Sequence, residues 1–275
     1  MSICIEIVVL NDDRIFKALE SLREQTVKPD RILIADGGSS DAFLSKIKEN
    51  YCDLPLDILN LTGKPVESRY KSLKFLHEDI TVFLDSDQYA PSTWLESLVN
   101  PLENGDKELA YSGGPTKPYR PPSTSIELYL TMIEDHIYDK EVSKNLTYVP
   151  LGNTAWKTAI LKNLGFDKRL KFEAEDNDLE TRAYKAGYKG ILVVSAWVWH
   201  DKTMGQSFIR TFRKRYIYLV GATTVFLKNG TLLRRSSERK GIIRHQFAIL
   251  ELLLKPIALL HALCRWHIII KHQDL

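Results

Sequence analysis

Ile80-Thr81-Val82-Phe83-Leu84-Asp85-Ser86-Asp87 decides the fold. An apolar run stops, and two carboxylates separated by one spacer follow it. Acidic side chains at the C-terminal end of a buried strand are costly to leave unpaired, so a cation is expected beside them. In α/β enzymes the commonest cation at such a place is a hard divalent ion bridging phosphate oxygens. Standing alone, an Asp-x-Asp is more often a turn opened by Asp87, with Asp85 capping the next helix. The rest of the chain has to decide between the two.

Outward from this stretch, short apolar runs alternate with helix-period segments. Ile3 to Leu10 reads as a strand, and Arg14 to Gln25 as a helix with Ile15, Phe16, Leu19 and Leu22 on one face. Arg31 to Ala35 is the next strand, ending in the turn Asp36-Gly37-Gly38-Ser39-Ser40-Asp41 that starts a helix. Leu56 to Leu61, a helix near Val66 to Leu76, and Ile80 to Leu84 repeat the cycle. This alternation predicts a largely parallel sheet with helices on both faces. Ligands of such sheets bind beyond the C-terminal strand ends, where Asn11-Asp12, Asp36 and Asp85 all fall.

Beyond the acidic pair, Gly113 to Thr124 is too rich in Gly and Pro for a helix or a central strand, and reads as a mobile loop near the site. Helices are expected around Ile126 to Tyr138, Trp156 to Leu164 and Asp178 to Ala186, the last capped by Gly187. Gly152-Asn153-Thr154-Ala155 reads as a Gly-led turn opening a helix, with backbone N–H groups free for an anion or a sugar hydroxyl. Glu175-Asp176-Asn177-Asp178 opens another, where the helix dipole favours ionised carboxylates and hence a general base. Asp36, next to a Gly-Gly turn, can accept a hydrogen bond from a nucleotide base. His200 ends an apolar strand, and as a neutral imidazole it can complete a metal site with Asp87.

Length and composition agree with one large domain and an appendage. The chain has 275 residues, 44% of them apolar, which is enough for a substantial core. Cys4, Cys52 and Cys264 are widely spaced, favouring free thiols and a reducing compartment. Met1 leads almost directly into the first strand, with no signal-peptide pattern. The net charge of +3 hides an asymmetry: from residue 201 onward 14 Lys and Arg face 4 Asp and Glu. A basic tail on an acidic body fits anionic headgroups or phosphate-bearing acceptors. Residues 246–270 are strongly apolar, but Glu251, Lys255, His261 and Arg265 interrupt them and Pro256 should bend them. An uninterrupted span of about 20 residues is missing, so a helix lying in the membrane surface, or an oligomer contact, is expected rather than a crossing.

The motifs and their order resemble the GT-A glycosyltransferases of family 2. The resemblance is carried by Ile-Val-Val-Leu-Asn-Asp (7–12), Leu-Glu-Ser-Leu-Arg-Glu-Gln-Thr (19–26), Ala-Asp-Gly-Gly-Ser-Ser-Asp (35–41) and Leu-Asp-Ser-Asp (84–87). Gly-Asn-Thr-Ala-Trp-Lys (152–157), Leu-Gly-Phe-Asp-Lys-Arg-Leu (164–170) and Glu-Asp-Asn-Asp-Leu-Glu-Thr-Arg (175–182) extend it, so that it covers roughly residues 3–200. It implies a Rossmann-like mixed sheet flanked by helices over residues 1–204; the basic and amphipathic pattern of residues 205–275 reads as a helical extension beyond it. The resemblance also implies an inverting, hexosyltransferase-type enzyme using a nucleotide-sugar, UDP-linked by family habit, and Mg²⁺ or Mn²⁺.

Carried over position by position, Asp36 holds the base, Val9 and Asn11 line the nucleotide pocket, and Arg69 lies near the nucleotide. Asp85 contacts ribose or metal, and Asp87 binds the metal. Asp176 is the general base, assisted by Glu175 and Asp178, with Gly152 and Asn153 on the acceptor side. The chain departs from the family in having Val9-Leu10-Asn11-Asp12 after the first strand and Gly37 where a second Asp is common. It also lacks the Gln-x-x-Arg-Trp signature of processive members, which favours single-sugar transfer. The expected acceptor is a glycan or a polyprenyl-phosphate-linked glycan, and the expected location the cytoplasmic face of a membrane. A sugar-nucleotide pyrophosphorylase is the enzymatic alternative, disfavoured by the acidic Asn11-Asp12-Asp13 where a Gly-rich basic loop is needed. A non-catalytic sugar- or nucleotide-binding scaffold is the other. Nucleic-acid binding is disfavoured by the apolar terminal helix.

Overall fold

The alternating side chains of Ile3, Ile5, Ile7 and Val9 place one face of β1 (Ile3–Val9) in the main hydrophobic core, while Cys4 and Glu6 point to the other face. This strand runs through a seven-stranded sheet in a computed structural model that describes residues 1–125, 127, 128, 131, 149–170, 174–201, 208–230 and 246–271. Strands β2 (Arg31–Asp36), β3 (Leu56–Asn60) and β4 (Ile80–Leu84) lie parallel to β1, whose partners are β2 and β4. Register puts Val9 opposite Asp36 and Glu6 opposite Phe83, so the C-terminal ends of β1, β2 and β4 share one edge.

The sheet is mixed rather than simply parallel. After β5 (Gln88–Tyr89) and β6 (Leu109–Gly113), the small strand β7 (Thr116–Pro118) leads on to β8 (Asn153–Lys157), which inserts antiparallel between β4 and β6. The expected turn and helix start at Gly152-Asn153 is therefore corrected: Asn153 to Trp156 are buried strand residues. Insertion between two strands overrides the turn propensity of Gly and Asn. β9 (Lys189–Leu192) pairs with β6 at the far edge. β10 (Val198–His200) leaves this sheet and joins β5 and β7 in a separate three-stranded sheet. Part of the expected Gly113 to Thr124 loop is thus an edge strand, a place that tolerates proline.

One face of the main sheet is covered by α1 (Arg14–Arg23), α2 (Asp41–Asn50) and α4 (Trp94–Asn104), which bury Ile15, Leu19, Leu22, Phe43, Ile47, Trp94 and Leu98. The opposite face carries α3 (Pro65–Ser72), α5 (Thr158–Leu164) and α6 (Glu175–Lys185). Leu161, Phe166, Leu179 and Ala183 pack there with Phe83, Trp156 and Cys4. Gly187, at φ +87°, follows the end of α6 as a left-handed cap.

The C-terminal helices are α7 (Phe208–Asn229) and α8 (Gln246–Lys271). Val220, Ala258 and Ala262 form their buried contact, and the Tyr216 hydroxyl lies 2.9 Å from His261 Nδ1. α8 continues through Pro256. Its small Ala258 and Ala262 face α7, while Leu252, Leu253, Ile257, Leu259, Leu260 and Leu263 are exposed. Among the described residues, no helix is long and apolar enough to cross a membrane. The expected helix over 126–138 lies almost wholly outside the described residues, and the basic connector over 232–244 lies entirely outside them.

Candidate active site

Three parallel strands stop at the same edge, and antiparallel β8 begins there, with Asn153 in register with Leu84. Asp85 and Gly152 are thereby forced together. A Cβ on Gly152 would lie 2.1 Å from Asp85 Oδ2, so glycine is required for the carboxylate to keep its place.

Asp85 Oδ1 accepts a 2.6 Å hydrogen bond from Arg69 Nη2, and Arg69 Nη1 reaches Glu175 Oε1 at 3.3 Å. Arg69 comes from α3 and is buried, whereas the Asp85 side chain is 38% exposed. Burial alone would lower the pKa of Arg69, but the carboxylates of Asp85, Glu175 and Glu6 outweigh it and raise it. Glu6 stands behind Arg69 on β1. Its Oε1 accepts a 2.7 Å hydrogen bond from Ser72 Oγ, while its Oε2 and Arg69 Nε are buried without a hydrogen-bond partner among the described residues. Burial pushes Glu6 up to about 7, against the pull of Arg69 and Ser72.

Glu175 and Asp176 open α6, entered through Ala174 at φ +99°, a left-handed conformation that costs an alanine strain. Burial first, and then the adjacent Asp176 carboxylate, push Glu175 up to about 7. The expectation that the helix dipole keeps this start ionised thus meets a stronger opposing effect at Glu175. Asp176 is partly exposed, and its Oδ1 accepts from the Asn177 N–H at 2.7 Å. Asp178, one turn into the helix, is fully buried and bound to Arg182 Nε (2.8 Å), Lys228 Nζ (2.7 Å) and Asn229 Nδ2 (2.9 Å). Its carboxylate ties α6 to α7. Lys228 also reaches Asp167 Oδ2 at 2.6 Å.

On the other side, Asp87 Oδ2 meets His200 Nε2 at 3.4 Å and Arg14 Nη1 at 3.1 Å. Burial raises the pKa of Asp87, but the His200 hydrogen bond and charge, together with Arg14, hold it below the ordinary carboxylate range. Arg14 also grips both oxygens of Asp12, through Nε at 2.8 Å and Nη2 at 2.7 Å. Ser86 Oγ donates to Asp12 Oδ2 at 3.2 Å. A carboxylate oxygen and an imidazole nitrogen 3.4 Å apart are donor types that suit Mn²⁺ or Mg²⁺. Among the described residues no group of three or more His, Cys, Asp or Glu side chains is arranged as a metal site. Two protein donors fit an ion whose other ligands are phosphate oxygens and water.

Val9, Asn11 and Asp36 lie one and two strands away along the same edge. Asp36 is fully buried and accepts from the Ser39 N–H at 2.9 Å and the Gly38 N–H at 3.2 Å, with lone pairs left for a base donor. Asn11, at φ +45°, accepts from the Ser40 N–H at 3.0 Å. Asn153 is buried, its amide bonded to Trp94 Nε1, the Pro115 carbonyl and the Ala196 carbonyl. These bonds pin three segments around the site. Sequence reasoning missed Arg14, Glu6 and Lys228. A lone glutamate inside the apolar run of β1 was a visible signal for Glu6, whereas nothing local marked the other two.

The chain matches the glycosyl transferase family 2 model over residues 4–165. With more than half of its length matched, it belongs to that family and is a glycosyltransferase. Solved structures share the fold. The mannosyltransferase PcManGT from Pyrobaculum calidifontis, in complex with GDP-Man and Mn²⁺, superposes with TM-score 0.63 at 17% identity, over 99% of this chain and 76% of that one. TarS 1–349 from S. aureus, in complex with UDP-GlcNAc, gives 0.58 at 18% identity, over 96% and 81%. Glucosyl-3-phosphoglycerate synthase from Mycobacterium tuberculosis, with Mn²⁺, UDP and glucosyl-3-phosphoglycerate, gives 0.56 at 15%, over 83% and 80%. No curated protein matches the chain by sequence.

Proposed function

We propose that this glycosyltransferase is metal-dependent and inverting, and moves one hexose from a nucleotide-sugar, UDP-linked in the first instance, to a glycan or lipid-linked glycan acceptor. The observation that supports this reading is the convergence, at one sheet edge, of Asp87 with His200, Asp85 with Arg69, and the acidic start of α6. Asp87 and His200 would hold the divalent ion, whose chemistry is to neutralise the leaving diphosphate. Asp36, Asn11 and Val9 orient the nucleoside, and Arg69 fixes Asp85 for the ribose or the ion. Asp176 takes the proton of the acceptor hydroxyl as its oxygen bonds to the anomeric carbon. The bond to the diphosphate breaks on the opposite face, giving inversion. Glu175 and the buried Asp178 serve this base by fixing its helix, through Arg69 and Lys228 respectively.

The sugar-transfer unit spans residues 1–204, and residues 205–275 place it on the inner face of a membrane. Support comes from the exposed leucine face of α8 and from Arg210, Arg213 and Lys214 along α7. Solved structures of the same fold are complexed with GDP-Man and with UDP-GlcNAc, so a thermal-shift screen of nucleotide-sugars with and without Mn²⁺ identifies the donor. With that donor, Asp176→Asn is expected to abolish turnover while sparing donor binding, and Asp87→Ala to abolish metal-dependent transfer. An Asp176→Asn enzyme of near-normal rate refutes the base assignment.

A further inference from the structure

Arg14 has no part in the reaction just described, yet it occupies the centre of the acidic side of the site. It is the first residue of α1, and its guanidinium is held on three sides. Asp12 takes Nε and Nη2 as a fork, and the Asp201 carbonyl accepts from Nη1 at 2.7 Å. That carbonyl is itself positioned, because the Asp201 N–H donates to the Asp87 carbonyl at 2.8 Å. From this seat Nη1 reaches Asp87 Oδ2, the same oxygen that meets His200. The Arg14 side chain is 28% exposed and that of Asp87 20%, so bulk water screens the contact only in part. The oxygen best placed to bind a divalent ion therefore already faces a fixed positive charge.

We propose that Arg14 is a resident counter-ion of Asp87 that makes divalent-cation binding depend on the donor's diphosphate. The inference rests on the assignment of Asp87 as a metal ligand. An ion approaching donor-free enzyme must displace a guanidinium from its ligand oxygen and then sit beside that positive charge. A diphosphate supplies enough negative charge for both cations, so the guanidinium can pair with phosphate and release Asp87. Linkage makes the effect reciprocal: the factor by which diphosphate tightens the ion is the factor by which the ion tightens diphosphate. Without Arg14 the ion meets Asp87 and Asp12 with no guanidinium on either carboxylate, and needs the diphosphate less.

The test is a titration of the full chain with Mn²⁺, reading free Mn²⁺ by electron paramagnetic resonance, alone and with saturating UDP or GDP. Wild type is expected to bind Mn²⁺ weakly alone and much more tightly with one of the diphosphates. Arg14→Gln should bind Mn²⁺ alone about tenfold more tightly than wild type, as befits loss of a like charge a few ångströms away in a partly screened site. Its gain on adding diphosphate should shrink by a similar factor. Arg14→Lys keeps the charge and should stay near wild type, and Arg14→Met replaces Arg14→Gln should the latter not fold. The proposal is overturned by Arg14→Gln or Arg14→Met binding Mn²⁺ alone no more tightly than wild type, or by a wild-type affinity that neither diphosphate changes. Asp87→Asn is the separate control. Wild-type Mn²⁺ affinity in that variant overturns the Asp87 assignment itself, a failure recognisable apart from the behaviour of Arg14.

Discussion

Replacing Gly152 with alanine puts a methyl carbon where the Asp85 carboxylate now lies. The added Cβ would stand 2.1 Å from Asp85 Oδ2, 2.4 Å from Cγ and 2.9 Å from Oδ1, whereas ordinary contact begins at 3.4 Å. Asp85 must therefore retreat by more than an ångström. Its side chain is 38% exposed and can turn toward water, and Arg69 keeps Glu175 and the nearby Glu6. Gly152 is not among the residues at positive φ, so alanine meets no backbone penalty there. The cost in stability should thus stay within about 1–2 kcal/mol, part of it offset by the lower entropy of the unfolded chain. Activity should fall far more, about a hundredfold, because an ångström of displacement in a group that positions the donor is enough to lose that much. Donor turnover by nucleoside-diphosphate release, with thermal unfolding alongside, separates the two effects. A folded Gly152→Ala enzyme with kcat and donor KM within about twofold of wild type would refute the positioned role of Asp85.

Lys228→Met takes their shared cation from the buried Asp178 and the partly exposed Asp167, and should cost about 3 kcal/mol in urea unfolding; an unchanged midpoint would show that α7 is not anchored through this lysine. Glu6 is raised from 4.5 to about 7 in the fold, so the protonated form is preferred and the stability it gives below pH 4.5 is lost as pH rises through about 7. Glu6→Gln cannot ionise, and from about pH 5 to about pH 8 wild type should lose on the order of 2 kcal/mol relative to it. A difference between the two proteins that is flat across that range excludes the buried-acid description. Leu253→Glu with Leu260→Glu should abolish co-flotation with anionic vesicles and leave soluble-acceptor turnover unchanged; flotation that persists rules out the leucine face of α8 as the docking surface.

Much of the fold was legible because its cause is local. Ile80 to Leu84 had to be a buried strand, and Asp85-Ser86-Asp87 had to end it. The Gly187 cap followed from a single residue, and the turn 36–41 read as a helix start leads into α2, where the Ser40 hydroxyl accepts from the Phe43 N–H. What was misread depended on distant partners. Asn153 reads as a turn former, yet it lies in β8 because β4 and β6 hydrogen-bond to that segment from both sides. The run at 175–178 reads as acidic and amide groups opening one helix, and packing divides its three carboxylates. Glu175 pairs with Arg69 and is 12% exposed, Asp176 also stays partly exposed, and Asp178 is buried on Lys228, Arg182 and Asn229.

The sequence by itself determined the alternation of strands and helices from β1 to β4, the edge at which the carboxylates gather, and the family. Periodicity, turn chemistry and the desolvation of charge act over a few residues and can be read from them. Only the tertiary structure decided which cation faces which carboxylate. Arg69 is 16 residues from Asp85 and 106 from Glu175, and Arg14 is 73 from Asp87. Electrostatic pairing depends on distance in space and on exclusion of water, and neither is encoded in the spacing of residues along the chain.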